Sequence, residues 1–252
     1  MTLGFYLVAM LGLGLLLVVH EAGHYAAARW FGMRVERFSV GFGPTIWRRQ
    51  PRGSATVYQV GILPFLAYVQ IAGMSPYEER DPADRGSYAN AGVWARVVTI
   101  AAGPLANLLF ASILVFFGLV IGGRDVIEAA RLGVVAPAMF VHENLVVLGR
   151  FLTGHGPVAF SGPVGIVKAA ATQAQMGPGV LLRFLGMLSA TMGLFNLLPF
   201  PFLDGGRLLF LGVEAASRRK VDAKIEVWVH AAGLVMLMTF MAFTTYGDVF
   251  NR

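Results

Sequence analysis

Four stretches of the chain are apolar over lengths that match the hydrocarbon core of a bilayer, and polar residues concentrate between them. A membrane-spanning helix needs about 20 consecutive, mainly apolar residues. The pattern therefore predicts an all-α polytopic membrane protein with about four transmembrane helices and a small membrane-associated β-hairpin or sheet between helices 1 and 2. The predicted spans cover approximately residues 3–28, 97–121, 180–202 and 225–246.

A fifth apolar stretch, at approximately residues 134–152, is interrupted by polar side chains. Burying such side chains in lipid is costly. The composition therefore favours an amphipathic helix that lies on the membrane surface, and a fifth span is the alternative interpretation. The interrupting residues are His142, Glu143, Asn144 and Arg150.

The connection between the first two predicted spans contains two short strand-like segments, residues 56–60 and 65–71, with Gly61 and Pro64 in the link between them. Residues 61–73 are too apolar for a free cytoplasmic loop. Non-helical backbone is tolerated at membrane depth only when it is buried in protein or lines a wet cavity. A hairpin that dips into the membrane and a loop packed on the cytoplasmic face are both compatible with this composition.

Composition excludes an ordinary soluble domain. The chain is 56% hydrophobic and 13% charged, whereas soluble domains carry about 25% charged residues. The formal net charge of +6 is typical of basic cytoplasmic loops, so we expect no nucleic-acid partner. Because there is no cysteine, any zinc site must use histidine and carboxylate ligands. We expect a single membrane-embedded domain over residues 1–252.

The first predicted span ends in a candidate zinc motif. His20-Glu21-Ala22-Gly23-His24 directly follows an apolar run. Residues four apart share one face of a helix, so the imidazoles of His20 and His24 can bind one Zn²⁺. The Glu21 carboxylate beside them can take a proton from water at the metal. Three ionisable groups in an apolar span are costly, which indicates a function.

A catalytic zinc site usually has three protein ligands and an open position. The strongest candidate for the third ligand is Asp204, which follows Pro199 and Pro201 at the end of the third apolar segment. A carboxylate in such a place requires a cation or a hydrogen-bond donor. The alternative is that Asp204 caps the next helix and that Gly205 and Gly206 form a simple turn.

The distribution of Lys and Arg orients the predicted spans. These residues concentrate between spans 1 and 2 and between spans 3 and 4, and are fewer in residues 122–179. The positive-inside rule then places both termini outside the cytoplasm. The zinc motif and Asp204 fall at similar depth toward the cytoplasmic side. The first segment lacks a basic leading region, so we do not expect a cleaved signal peptide.

The two motifs together resemble the site-2 protease family of intramembrane zinc metalloproteases, of the bacterial regulated-intramembrane-proteolysis type. The similarity rests on the His-Glu-x-x-His motif and on residues 196–205, Asn-Leu-Leu-Pro-Phe-Pro-Phe-Leu-Asp-Gly. It extends to residues 41–44, 102–107 and 161–166, in family order. The resemblance implies a zinc metalloendopeptidase with one Zn²⁺ per chain, Glu21 as the general base, and His20, His24 and Asp204 as the ligands.

The resemblance also implies substrate contacts. Asn196 would contact the substrate backbone, and an amide in an apolar span independently needs such polar partners. Asn107 is a second candidate, and a polar contact between helices is an equally good interpretation of it. The hairpin would pair with the substrate as an added strand. Its candidate contact residues are Phe65, Ala67 and Val69.

The implied substrate is a single-span transmembrane protein in the bacterial inner membrane, such as an anti-sigma factor, a membrane-bound regulator or a remnant signal peptide. Membrane lipid and a regulatory membrane protein are further expected partners. Relatives usually carry PDZ domains between spans 2 and 3, but residues 122–179 are too few, so we expect neither a PDZ nor a CBS domain. The alternative function is a non-proteolytic membrane protein, either a transporter or an inactive scaffold.

Overall fold

The computed structural model describes residues 2–75, 78, 81–154 and 161–250, without the side chains of residues 64, 65 and 152. Helices dominate these residues, as the apolar pattern predicts. The elements in chain order are α1 (Leu3–Trp30), β1 (Val35–Arg49), β2 (Val57–Ile71), α2 (Val93–Ile121), α3 (Val126–Leu152), α4 (Pro163–Met176), α5 (Pro178–Leu197), α6 (Asp204–Ser217) and α7 (Ala223–Phe250), with a 3₁₀ turn at Tyr88–Asn90.

Five helices among the described residues are long and apolar enough to cross a membrane: α1, α2, α5, α7 and Val126–Phe151 of α3. The first four correspond to the four predicted spans. The predicted amphipathic segment at residues 134–152 forms the last 19 residues of the 27-residue helix α3. Its length and composition satisfy the criterion for a span, so both interpretations of this helix stay open.

The sheet is larger than the sequence predicted. We expected two short strands at residues 56–60 and 65–71, but β2 runs without interruption from Val57 to Ile71. It pairs antiparallel with β1, which the sequence analysis missed. Gly41 and Gly43 of β1 have positive φ values of 88° and 87°. Glycines and arginines close together are typical of a loop, but here they lie within a 15-residue strand.

The described chain comprises two compact units. One contains residues 1–12, 107–194 and 234–252, and the other contains residues 13–106 and 195–233. In the first, the Ser189 hydroxyl of α5 donates a hydrogen bond of 2.8 Å to the Asn107 carbonyl of α2. The Gly165 N–H near the start of α4 donates to the Asp248 carboxylate of α7. These bonds join helices within that unit.

The second unit contains the sheet and both predicted zinc-binding motifs. Its apolar core joins the end of α1 to the start of the sheet through Ala28, Met33, Val35 and Ile71, all of which are almost fully buried. Burial of these side chains anchors the sheet to the helix that carries the zinc motif. The sheet is therefore a fixed part of the surroundings of that motif.

Candidate metal centre

The two histidines and Asp204 converge on one point. The Nε2 atoms of His20 and His24 lie 3.1 Å apart. The Oδ2 atom of Asp204 lies 3.0 Å from His20 Nε2 and 3.4 Å from His24 Nε2. Both histidines are buried, with 7% and 5% of their surface exposed. The sequence prediction that Asp204 joins the histidine pair therefore agrees with the geometry.

This triangle fits a zinc ion. Ligand atoms about 2.0–2.2 Å from a tetrahedral zinc are separated from one another by about 3.3–3.6 Å. The three measured separations lie close to that range. Three residues also leave the fourth position of a tetrahedral site free, as in catalytic zinc sites. Of the histidine, aspartate and glutamate residues that the structure describes, only this group of three could hold a metal.

Hydrogen bonding fixes the tautomer of His24. Its Nδ1 atom lies 2.8 Å from the backbone carbonyl of Thr99 in α2. A carbonyl oxygen only accepts, so Nδ1 carries the proton and the neutral ring offers the Nε2 lone pair. Such an outer hydrogen bond is the usual way of orienting a metal-binding histidine. Lone pairs from His24 and Asp204 therefore face the same point, which favours a cation there.

Gly103 of α2 provides the space for this ring. A Cβ atom at Gly103 would overlap the Nε2, Cε1 and Cδ2 atoms of His24. Gly23, within the zinc motif, lies against the backbone of α2, because a Cβ atom there would overlap the Ala102 carbonyl. The two glycines let α1 and α2 approach closely enough for the hydrogen bond between His24 and Thr99.

The substitution Gly103→Ala is expected to weaken zinc binding by about 10–100-fold, the usual effect of disturbing the orientation of a ligand. The cause is displacement of the His24 ring, and proteolysis should fall with the bound metal. Titration with a competing zinc chelator measures the change. Gly92→Ala is the matched control, because a Cβ at Gly92 meets nothing within 4 Å. Equal zinc affinity in both variants would contradict the prediction.

The backbone between α5 and α6 brings Asp204 to the histidines. α5 ends at Leu197, five residues before the end of the predicted span, and α6 begins at Asp204. Phe202 has a φ of +75°, which is uncommon for a residue other than glycine. A Cβ at Gly205 would overlap the Leu198 carbonyl. The break is therefore tightly folded, and such strain is typical of functional sites.

The alternative interpretation of Asp204, a simple helix cap, does not fit the structure. The cap residue of α6 is Leu203, and no side chain caps this helix by a hydrogen bond. Asp204 is the first residue of α6, and its carboxylate faces the two imidazoles. The position of its carboxylate therefore favours the role of a candidate metal ligand over that of a helix cap.

Glu21 lies beside the triangle and contacts the sheet. Its Oε2 atom accepts a hydrogen bond of 2.9 Å from the backbone N–H of Val69 in β2. The hairpin that was expected to pair with the substrate thus reaches the predicted general base. This contact could not be recognised from the sequence, because it is made by a backbone group.

The other predicted substrate contacts are dispersed. Asn196 lies near the C-terminus of α5 in the same unit as the metal centre, and is partly buried. Asn107 is fully buried in the other unit, where its backbone joins α2 to α5. Ala67 and Val69 belong to β2, and the side chain of Phe65 lies outside the described part of the structure.

Residues 8–240 match the sequence pattern of peptidase family M50. The chain belongs to this family, the site-2 proteases. It is therefore a zinc metalloprotease that spans the membrane several times, and the family assignment that the sequence suggested is confirmed. A zinc metalloprotease needs a metal site. Among the described residues, the cluster of His20, His24 and Asp204 is the one group that could hold the metal.

Named relatives agree with this assignment. The zinc metalloprotease Rip1 of Mycolicibacterium smegmatis is 30% identical over 89% of this chain and 58% of its own. The zinc metalloprotease RasP of Geobacillus kaustophilus is 36% identical over 50% of this chain and 30% of its own. A chain of Agrobacterium fabrum provisionally named a zinc metalloprotease is 24% identical over 98% of this chain and 96% of its own.

The protease also contains a buried ion pair that the sequence analysis missed. Arg96 of α2 makes two hydrogen bonds to Glu214 of α6, of 2.9 and 2.6 Å, and its Nε atom donates to the Ala91 carbonyl. The side chains of this ion pair are 9% and 14% exposed. α2 holds His24 through Thr99, and α6 carries Asp204, so the ion pair joins the helices that position two of the candidate ligands.

Arg96→Met is expected to destabilise the protease by about 3–5 kcal/mol, because it removes the arginine from a buried ion pair with Glu214. Denaturant unfolding in detergent, followed by tryptophan fluorescence, measures the free energy. Arg34→Met is the matched control. Arg34 pairs with Asp84 at 2.9 Å, but its side chain is 42% exposed, and an exposed pair contributes about 0–1 kcal/mol. Similar losses in both variants would contradict the prediction.

A cavity of about 240 Å³ adjoins this ion pair, but no residue of the metal centre is among its described lining residues. Burial raises the pKa of Tyr88 in its wall to about 12, so this hydroxyl is neutral at physiological pH. Among the described residues, neither buried ring nitrogen of His230 has a hydrogen-bond partner. The ring packs near Phe210, with centroids 5.5 Å apart.

Proposed function

We propose that this protease binds one zinc ion per chain through His20, His24 and Asp204, and hydrolyses a peptide bond in or near the transmembrane helix of a single-span protein. The convergence of these three ligand atoms beside Glu21 is the observation that carries the proposal. The family assignment supplies the reaction class. The single metal per chain follows from the single cluster in the described residues.

The chain's own residues divide the chemistry between them. Zinc, when bound, supplies a Lewis acid that polarises a peptide carbonyl and makes water a better nucleophile. Glu21 accepts the proton of the attacking water and returns it to the leaving amine. Thr99 and Gly103 hold His24 in the tautomer and place that metal binding needs. The buried setting keeps bulk water away from the reacting groups.

Substrate binding is proposed to involve the outer edge of β2, at Phe65, Ala67 and Val69. A helix hides its peptide bonds, so the substrate must be unwound before hydrolysis, and an extended segment can then pair with a free sheet edge. Asn196 would bond the unwound backbone near the metal centre, and Asn107 is a second candidate for that role. The contact between Val69 and Glu21 supports this arrangement.

The protease is proposed to reside in the bacterial inner membrane, with both termini outside the cytoplasm and the active site toward the cytoplasmic side. The distribution of Lys and Arg supports this orientation. Candidate substrates are an anti-sigma factor, a membrane-bound regulator and a remnant signal peptide. Lipid and a regulatory membrane protein are proposed as partners, with no role for nucleic acid.

Co-expression with candidate single-span proteins tests this function. Wild type and Glu21→Gln are compared, and the substrate is detected through tags on both sides of its helix. The proposal expects the uncut helix to accumulate only with Glu21→Gln, and mass spectrometry of the wild-type fragments to place the cut in or near the membrane. Equal cleavage of every candidate by both forms would reject it.

A further inference from the structure

The Val69 N–H lies on the outer edge of the sheet. Val69 is paired with Phe38 of β1, and Ala67 with Val40. In an antiparallel ladder the N–H and C=O groups of one residue point to the same side, and alternate residues point to opposite sides. Because the Val69 N–H donates to Glu21, its carbonyl also faces away from β1. The same alternation places the backbone groups of Ala67 on this edge.

The same donor is therefore needed twice. A substrate strand that pairs along this edge uses the Val69 N–H for a backbone hydrogen bond. Glu21 already occupies that N–H in the structure. A single N–H shared between two acceptors bonds each of them less well, because neither can have a short, straight hydrogen bond. Strand pairing and the Glu21 contact therefore compete for one hydrogen atom.

The hairpin is held firmly at this point, so the competition does not require it to move. The hydroxyls of Tyr25, the residue after His24, and Tyr58 of β2 are 2.6 Å apart. The Tyr25 ring also packs edge-on against Phe38, with centroids 5.6 Å apart. Phe38 is the ladder partner of Val69. These contacts hold the sheet beside α1, so an exchange of partners at the Val69 N–H requires only a rotation of the Glu21 side chain.

We propose that the Val69 N–H is a positioning donor that holds Glu21 aside until a substrate strand takes its place. Pairing of an extended substrate with β2 then releases the carboxylate to act on water at the metal centre. This inference rests on the proposed function. Its consequence is selectivity: a segment that cannot form a strand at Val69 leaves the base engaged. The edge thus selects for an unwound segment before hydrolysis begins.

The test removes the single N–H and compares two probes. An amide-to-ester variant at Val69, made by incorporating the α-hydroxy analogue of valine, replaces only this N–H by oxygen. One probe is a single-span reporter with an oligo-leucine helix that contains a Gly-Pro break. The other is a quenched, blocked tripeptide that is too short to pair along the edge. Val69→Pro is a second, genetically simpler variant, because an outward N–H can be lost at a sheet edge.

The ester variant is expected to raise kcat for the tripeptide by about tenfold or more, since a hydrogen bond to a charged group no longer holds the base. It should also raise KM for the reporter, which loses a pairing bond. Val69→Ala keeps the N–H and should not raise kcat for the tripeptide. The zinc content of each variant shows whether it has kept the metal centre. If either the ester variant or Val69→Pro has lost zinc, the kinetics of the other one are compared with those of the wild type.

Two results would overturn the inference while the function stands. The first is a lower kcat for both probes, which would mean that the N–H only orients the base. The second is unchanged kinetics in the ester variant. If wild type and Glu21→Gln are equally inactive on both probes with zinc bound, the proposed function fails and the inference fails with it.

Discussion

Glu21→Gln is expected to lower the turnover of a transmembrane reporter by about 10²–10⁴-fold, the range that general acid–base catalysis contributes. The amide has nearly the shape of the carboxylate but cannot accept the proton of the attacking water. The zinc content should stay at the wild-type value, because Glu21 is not one of the three convergent ligand atoms. Single-turnover kinetics in detergent, with parallel metal analysis, separates catalysis from metal binding.

Glu143→Gln provides the control for this substitution, because it makes the same chemical change at an exposed position of α3. It should leave both turnover and zinc content unchanged. Full turnover by zinc-loaded Glu21→Gln would refute the assignment of this residue as the base. Loss of zinc together with turnover would instead show that Glu21 supports the metal.

The convergence of the three candidate ligands was predictable because they belong to two short motifs with local geometry. The spacing of His20 and His24 determines that they share a helix face, whatever the surrounding fold. Asp204 was predictable because a carboxylate at the end of an apolar segment needs a cation. Thr99 and Gly103 gave no such signal. The first acts through its backbone and the second through an absent side chain, and neither role can be recognised until α1 and α2 are packed.

The fold followed the same division between local and non-local features. Apolar runs long enough to span a bilayer identified α1, α2, α5 and α7. The strand β1 was missed because its glycines and arginines are typical of a loop, and only pairing with β2 satisfies its backbone. The ion pair between Arg96 and Glu214 was also unpredictable, because 118 positions separate these residues in the chain.

Asp204→Asn is expected to reduce zinc affinity by more than about 100-fold, the upper end of the effect of disturbing groups behind the ligands. The substitution keeps the size of the side chain and removes the negative charge that faces the two histidines. An amide oxygen is a much weaker zinc ligand than a carboxylate, so only His20 and His24 would remain. Proteolysis should disappear at any zinc concentration that does not refill the site.

Asp222→Asn is the matched control, because its Oδ1 atom accepts a hydrogen bond from the Lys224 N–H at an exposed position near the start of α7. Asparagine serves equally well at such a position, so zinc affinity and activity should be unchanged. Isothermal titration with zinc measures both variants against wild type. Wild-type affinity in Asp204→Asn would remove Asp204 from the ligand set. Another group would then have to complete the site together with His20 and His24.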